Sequence, residues 1–391
     1  MNTKYTIALA IITIVIIAGA IVAYTYYSNP SNPNPTSSNT STNNPTSSSP
    51  TSTPTATSLT GAGASFPFPL IDKIITEYNR AKPYIQVNYQ PSGSGAGITA
   101  LTDKTVDFAG SDAPLSASER AKAPNTLHIP ETIGSIALAY NVQGVPTGLK
   151  LTGQIIADIF EGKITMWNDP AIVNLNPSVN LPAVKITTVH RSESSGTTFV
   201  FTSYLSESSS SWKTNVGASK SVSWPSANDV ASSGNAGVAQ LVSSTANSIG
   251  YVELAYALQT GMTVAAVRNP FGNYVLPTLE STTVATQTVA SGGLPAGNAD
   301  WAGINLLNAN NAQAYPIVSF SYILVYRELN VIPGMTQDRA TAVVQFLWYM
   351  IHDGQNLSNS LEYAPLPTNV VTINEATIQS ITFNGQALPT S

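Results

Sequence analysis

Apolar residues beyond residue 58 recur either at alternate positions, as in a strand, or at every third and fourth position, as on one helix face. Segments of the two kinds alternate along the chain, which predicts an α/β fold with ligands bound at strand ends. In chain order they are a helix opened by Pro69, a strand at Ile85–Tyr89, a helix starting at Ile98–Leu101, a short strand at Val106–Asp112, a helix with a Ser116/Glu119 capping box, a strand at Ile133–Tyr140 and a helix at Ile155–Phe160 that Gly162 ends.

The first 58 residues show neither period. Residues 1–27 carry an uncharged apolar run, Tyr5–Tyr27, which predicts a retained transmembrane anchor with its N-terminus inside; a cleaved signal peptide is the competing interpretation. Residues 28–58 are Ser, Thr, Asn or Pro except for Ala56, so this segment cannot bury apolar surface and predicts an extended stalk. The sequence therefore predicts a domain held outside a membrane.

The composition of the chain excludes several classes of function. Only 9% of the 391 residues are charged, and the net charge of −5 comes without any basic run, which argues against a nucleic-acid partner. The chain has no cysteine, which excludes disulfides, thiol catalysis and a lipid-modified cysteine. A single small anion is still a possible ligand, because local donors and helix dipoles set the field that it meets.

The segment Arg191–Thr198 concentrates hydrogen-bond donors. It follows a predicted strand, Val184–His190, and precedes a predicted helix, Phe199–Leu205. A Ser/Gly-rich loop at a helix start offers free backbone N–H groups and the positive end of the helix dipole to an anion. The planar guanidinium of Arg191 adds a full charge that suits a tetrahedral oxyanion. Ordinary helix caps and a solvated arginine pair are the alternative interpretation.

Three other polar positions could complete such a site. Ser65, with Phe66 beside it, and Ser94 lie in Gly-rich turns before predicted helices, so each turn offers N–H groups and a hydroxyl. Asp112 is a carboxylate among these donors, and in isolation it would be interpreted as part of an Asx turn. In a site it could only accept a hydrogen bond, so it would favour an oxyanion that carries a proton, as phosphate does near neutral pH and sulfate does not.

These motifs resemble those of the phosphate-binding proteins that serve ABC-type phosphate importers. The resemblance runs from Leu59 into the C-terminal region and keeps the family's order. The segments that carry it are Gly61–Pro67, Val106–Pro114, Arg191–Phe201, Ile249–Glu253, Ala314–Ile317 and Tyr363–Pro367.

The resemblance implies a two-lobed, periplasmic-binding-protein-like fold of type II. Each lobe would be a mixed sheet flanked by helices, with hinge strands between the lobes closing over one phosphate. Lobe I is expected at residues 59–138 and 314–391, and lobe II at residues 139–313. The crossovers near Ile136–Tyr140 and Tyr315–Ser319 would form the hinge.

The resemblance also implies which residues touch phosphate. Glu193 stands where the family usually has Asp, as the partner that holds Arg191. No cofactor and no metal are expected, and the expected partners are phosphate, the permease subunits of an importer and the membrane, with the protein a monomer. The expected phosphate ligands are Ser65, the main-chain N–H of Phe66, Ser94 and Asp112 from lobe I, and Arg191, Ser195, Gly196 and Thr197 from lobe II.

Two other functional classes are alternatives to transport. A serine hydrolase would need a G-x-S-x-G elbow, which the chain lacks, and His128, His190 and His352 lack metal-type spacing, so a surface phosphatase on a related scaffold ranks low. A stalked envelope protein or adhesin, with tryptophans such as Trp167 and Trp348 lining a sugar groove, ranks below transport because the tryptophans are scattered.

Overall fold

Strands and helices alternate through most of the chain that the computed structural model describes, residues 56–290 and 293–391. The strands are β1 (Thr57–Gly63), β2 (Ile85–Gln90), β3 (Phe108–Ser111), β4 (Thr126–Asn141), β5 (Lys150–Leu151), β6 (Thr187–Arg191), β7 (Asp229–Ser232), β8 (Ser248–Glu253), β9 (Thr263–Val264), β10 (Ala266–Arg268), β11 (Tyr274–Val275), β12 (Val318–Tyr326), β13 (Thr382–Phe383) and β14 (Gln386–Ala387). The α-helices are α1 (Phe68–Ala81), α2 (Ser94–Thr102), α3 (Ala117–Lys122), α4 (Gly153–Phe160), α5 (Pro170–Val173), α6 (Gly196–Ser208), α7 (Ser210–Asn215), α8 (Gly234–Ser244), α9 (Leu254–Gln259), α10 (Leu279–Ala290), α11 (Gln337–Ile351) and α12 (Thr368–Gln379). Short 3₁₀ helices lie at Leu329–Val331, Asp353–Leu357 and Asn359–Leu361.

One mixed sheet carries most of these strands, in the order β2-β1-β3-β12-β4-β8-β6-β7, with β9 also paired to β4. In its first part β1 runs parallel to β2 and β3, while β12 runs antiparallel to β3 and β4. In its second part β6 runs parallel to β7 and β8, and β8 runs antiparallel to β4. The parallel strands are joined through helices, as the alternating pattern predicts.

Strand β4 belongs to both parts of this sheet. Its residues 126–135 pair with β12, whereas Ile136–Asn141 pair with β8. We call the part with β1, β2, β3, β12 and the start of β4 the first lobe, and the part with the end of β4 and β6–β9 the second lobe. The predicted two-lobed α/β fold of type II is therefore confirmed. The predicted lobe boundaries, after residues 138 and 313, stay predictions.

Strand β4 is buried along nearly its whole length, from Thr126 to Tyr140. A strand covered on both faces shows a continuous apolar run and no alternation. That explains why the sequence pattern identified only its second half. The core also takes in Trp167, which is fully buried and donates from Nε1 to the Asn247 carbonyl at 3.0 Å, so this tryptophan cannot line a sugar groove.

Several predicted boundaries need correction. Strand β1 begins at Thr57 and so takes in two residues assigned to the stalk, because pairing with Ile85 and Gln86 compensates for their polar composition. Strand β6 begins at Thr187 and not at Val184. The helices beside the two Gly-rich loops begin inside those loops, since small residues can occupy a first helical turn without clashes: α2 begins at Ser94 and α6 at Gly196.

Other local predictions are confirmed. Ser116 and Glu119 form the reciprocal capping box at the start of α3, and α4 ends before Gly162, whose φ of +73° is in the left-handed region. Within residues 56–290 and 293–391, none of the helices has the length and apolar character that a membrane crossing needs. The predicted anchor, residues 1–27, lies outside the described residues.

Candidate anion-binding site

Four strands end in short loops that open helices, and these loops meet between the lobes. In the first lobe, β1 leads through Ser65 to α1, and β2 leads to α2 at Ser94. In the second lobe, β6 leads to α6 at Gly196, and β7 leads to α8, whose first turn contains Asn235. Strand β3 supplies Asp112 directly after its last residue. The helix starts therefore direct N–H groups and positive dipole ends towards one place.

Two serine hydroxyls of the first lobe accept hydrogen bonds from the second lobe. Ser65 Oγ accepts from the backbone N–H and side-chain amide of Asn235, at 3.0 and 3.2 Å. Ser94 Oγ accepts from the backbone N–H of Gly196 at 3.1 Å and, within the first lobe, from that of Asp112 at 3.3 Å. Both side chains are buried. Because these contacts use the lone pairs of each oxygen, each hydroxyl hydrogen can be donated to an oxyanion.

Asp112 spans the boundary between the lobes. Its Oδ1 accepts from Ser321 Oγ at 3.0 Å, and its Oδ2 accepts from Thr197 Oγ1 at 3.3 Å. The turn contacts of this segment are made by Ser111, whose hydroxyl donates to the Ala113 carbonyl at 2.6 Å, so Asp112 is not the residue that makes the local turn. Burial raises the pKa of Asp112 to about 7, against the opposing effects of Ser321, Arg191 and Thr197.

Arg191 is held in the second lobe with its side chain only 1% exposed. Its Nε donates to Glu193 Oε1 at 2.8 Å, its Nη2 contacts the same oxygen, and its Nη1 donates to Thr197 Oγ1 at 3.1 Å. The Gly234 N–H also donates to Glu193, at 3.0 Å. Burial acts to raise the pKa of Glu193, but Arg191 and the Gly234 N–H bring it below its usual value. The longer Glu193 therefore still pairs with the arginine.

Thr197 connects these groups. Its hydroxyl donates to Asp112 and accepts from Arg191 Nη1 and from the Asn235 amide, the latter at 3.1 Å. Gly196, one residue earlier, approaches the first lobe closely through its N–H contact to Ser94. The structure thus brings together six of the predicted site residues with Glu193: Ser65, Ser94, Asp112, Arg191, Gly196 and Thr197.

Ser195 and Phe66 occupy different roles in the described contacts. Ser195 Oγ accepts from the Thr198 N–H at 3.1 Å and so caps α6. The Phe66 ring is fully buried in the core, and its carbonyl accepts from Tyr363 Oη at 2.7 Å. Each is the sequence neighbour of a site residue, Ser195 of Gly196 and Phe66 of Ser65. Their predicted contacts with the anion stay predictions.

Comparison with known proteins identifies the family. A model of the PBP superfamily domain matches residues 48–353. Phosphate-binding protein PstS of Xylella fastidiosa strain Temecula1 is 43% identical over 329 residues, which are 82% of this chain and 85% of that protein. The chain belongs to the PstS family. A PstS protein of the same family from Methanocaldococcus jannaschii is 36% identical over 332 residues, 82% of this chain and 85% of that one.

Solved structures agree on the fold of this PstS-family chain. The crystal structure of a phosphate-binding protein from Stenotrophomonas maltophilia superposes with a TM-score of 0.62 at 20% identity, covering 82% of this chain and 94% of the other. At that level of identity the similarity concerns the fold. It matches the two-lobed arrangement described above.

Two further residues of this PstS-family chain, Asn235 and Tyr256, contact the predicted site residue Ser65. Asn235 bridges Ser65 and Thr197, and it follows the same strand, glycine and helix pattern as the predicted loops, which could have revealed it. Tyr256 Oη donates to the Ser65 carbonyl at 2.6 Å. Nothing in the local sequence around Tyr256 indicates that role, because it depends on how α9 packs against the other lobe.

The histidines take no part in the site. His128 Nε2 accepts from the Leu115 N–H at 3.1 Å, and burial lowers the pKa of His128 to about 3, so its ring is a neutral structural element. His190 and His352 contact Asp229 and Glu375. Among residues 56–290 and 293–391, no group of three or more His, Asp or Glu side chains is placed to hold a metal ion.

Proposed function

We propose that this chain binds inorganic phosphate between its lobes outside the cytoplasm and delivers it to an ABC-type phosphate importer. The observation that carries the proposal is the position of Asp112, a buried carboxylate among hydroxyl and N–H donors and near Arg191. The arginine and the donors attract an oxyanion, while the carboxylate requires a proton on that oxyanion. Phosphate meets both conditions near neutral pH. The names of the PstS relatives support the same ligand.

Phosphate would couple to lobe closure through contacts with both lobes. In this structure the first and second lobes already meet at Ser65–Asn235, Ser94–Gly196 and Asp112–Thr197. A ligand that touches Ser94 and Asp112 on one side and Arg191 on the other favours this closed arrangement over an open one. An importer could distinguish this closed conformation from that of the ligand-free protein.

The proposal is tested by equilibrium dialysis of the full-length chain against labelled inorganic phosphate. We expect one phosphate bound per chain. The same preparation is incubated with a chromogenic phosphomonoester to separate binding from phosphatase activity. Steady turnover of that ester would favour a surface phosphatase, and absence of phosphate binding would refute the proposal.

Gly196→Ala is expected to weaken phosphate binding about 5- to 150-fold, since overpacking a tight contact costs about 1–3 kcal/mol. A Cβ at Gly196 would lie 2.4 Å from Ser94 Oγ and 2.7 Å from Asp112 Oδ2, so the lobes could not close to their present distance. Isothermal titration with phosphate measures the effect. Gly303→Ala is the matched control, because a Cβ there has no neighbour within 4 Å among the described residues. Equal affinities for the two variants would contradict the closure contact.

The segment before the folded domain is proposed to anchor and tether it. Residues 1–27 would span the membrane and residues 28–56 would form the stalk, so that the domain stays near the importer as a monomer. Fractionation of cells that express the full-length chain tests this. We expect the intact chain in the membrane fraction, resistant to salt extraction. A released product that begins after residue 27 would contradict a retained anchor.

A further inference from the structure

A second buried carboxyl group lies behind Asp112, on the far side of Ser321. Ser321 Oγ is 3.0 Å from Asp112 Oδ1 and 3.2 Å from Glu131 Oε1, and all three side chains are buried. A hydroxyl has one hydrogen, so Ser321 can donate to only one of the two carboxyl groups. The other contact needs a proton on a carboxyl oxygen. Besides the hydroxyl hydrogen of Ser321, one proton therefore has to reside on either Asp112 or Glu131.

A β-bulge places Glu131 there. In the pairing of β12 with β4, Ser321 lies opposite Thr132 and Tyr322 lies opposite Pro130, so Glu131 is the extra residue on β4. A bulge changes the direction of the side chain that it carries, and bulges of this kind occur next to functional sites.

The backbone of the bulge is held by two side chains. Its carbonyls accept from Asn374 Nδ2, at Pro130, and from Gln355 Nε2, at Glu131, at 2.6 and 2.9 Å. Both carbonyls of the irregular segment are thus satisfied without a strand partner. The position of Glu131 next to Ser321 is therefore supported by the fold around it.

We propose that Glu131 is a positioning residue that keeps Asp112 an acceptor. Its carboxylic acid donates to Ser321 Oγ, and Ser321 in turn donates to Asp112 Oδ1. Asp112 then stays ionised, and the lone pairs of its Oδ2 are directed towards the phosphate. This inference rests on the proposed function, and it assigns to Glu131 and Ser321 a part in the selectivity of the site.

The surrounding charges favour the proton on Glu131 over the proton on Asp112. Arg191 and Thr197 stabilise the ionised form of Asp112, whereas for Glu131 only the Ser321 contact acts in that direction. Burial and the charge of Asp112 raise the pKa of Glu131 to about 8, while that of Asp112 is raised to about 7. The other titratable groups involved are Glu253, Tyr256 and Tyr363, which interact with Asp112, and Tyr89, which interacts with Glu131 and Asp112.

The proposal predicts that phosphate binding takes up a proton in alkaline solution. Above about pH 8 the free protein loses the Glu131 proton, and both carboxyl groups then carry charge with one hydrogen between them. A bound phosphate adds negative charge and so raises the affinity of Glu131 for its proton. The protonated form of Glu131 is the form that supports binding. The affinity for phosphate therefore falls as the pH rises through the pKa of Glu131.

The experiment is isothermal titration of the full-length chain with inorganic phosphate, from about pH 7 to about pH 9.5, in paired buffers of different ionisation enthalpy. We expect proton uptake by the wild type to rise towards one per phosphate across this range, and the affinity to fall. Glu131→Gln keeps an amide donor for Ser321 but cannot titrate, so the additional proton uptake and the fall in affinity should disappear. Glu253→Gln is the matched control, a second buried glutamate that should keep the wild-type response.

The outcomes separate this role from the proposed function. Phosphate binding with the same proton uptake in Glu131→Gln as in the wild type would overturn the role of Glu131 and leave the function standing. Loss of proton uptake in Glu253→Gln but not in Glu131→Gln would also overturn the role of Glu131 and leave the function standing. Absence of proton uptake in the wild type would also overturn the role, without any variant. Failure of the wild type to bind phosphate would overturn both.

Discussion

Arg191→Ala should weaken phosphate binding by about 30- to 5000-fold, because truncating one member of a buried, hydrogen-bonded charge pair costs about 2–5 kcal/mol. The Arg191 side chain is 1% exposed and bonds to both Glu193 and Thr197. Its removal takes away the positive charge at the site and leaves the Glu193 carboxylate next to the anion. Both effects act against phosphate binding. Isothermal titration of the full-length variant measures the loss.

Two further variants define the origin of that loss. Arg191→Lys keeps the charge but loses the planar donor fork, so its affinity should lie between those of the wild type and Arg191→Ala. Arg268→Ala removes an exposed arginine of β10 and should bind as the wild type does. If Arg191→Ala lost no more affinity than Arg268→Ala, Arg191 would not be a ligand of the anion.

Asp112→Asn should reduce the preference for phosphate over sulfate by about 100-fold or more. A site that hydrogen-bonds a substrate hydroxyl rejects an analogue without it by about 10⁴- to 10⁵-fold, because buried polar groups are left unpaired. In the wild type, sulfate would place an oxygen without a proton against the Asp112 carboxylate. The asparagine has nearly the same shape but can turn an N–H towards that oxygen. Sulfate affinity should therefore rise, while phosphate affinity changes less.

Competition of sulfate against bound labelled phosphate measures this change in both proteins. Asp103→Asn is the control, since Asp103 is exposed just beyond the end of α2. It removes one negative charge without altering the buried site, so any general effect of net charge appears in it as well. Unchanged selectivity in Asp112→Asn would refute the role of Asp112 as the group that detects the proton.

Local sequence is enough to predict which residues meet between the lobes where strand, loop and helix follow one another. Arg191, Gly196 and Thr197 lie within one such segment, whose small residues before a helix predict an anion-binding loop. Ser65 and Ser94 follow the same rule on the other lobe. Each of these segments follows the carboxyl end of a strand, which is where α/β folds bind their ligands. The alternation of strands and helices therefore already suggests that they meet.

Other parts of the site depend on pairing over long sequence distances. Ser321 meets Asp112 and Glu131 only because β12 pairs with both β3 and β4, and its partners are 209 and 190 residues away. The bulge at Glu131 has no signature in a strand that is buried throughout. Strand ends and helix starts differ by a few residues from those that the sequence predicts for a related reason, since Thr57 joins β1 through its partner strand and not through its own propensity.

This site is expected to bind phosphate because Asp112 requires a proton on the ligand. The most direct measurement is isothermal titration of the full-length wild type with phosphate and with sulfate, at near-neutral pH and equal ionic strength. We predict one phosphate bound per chain, with sulfate bound at least about 1000-fold more weakly. Equal affinity for the two anions would contradict this role of Asp112.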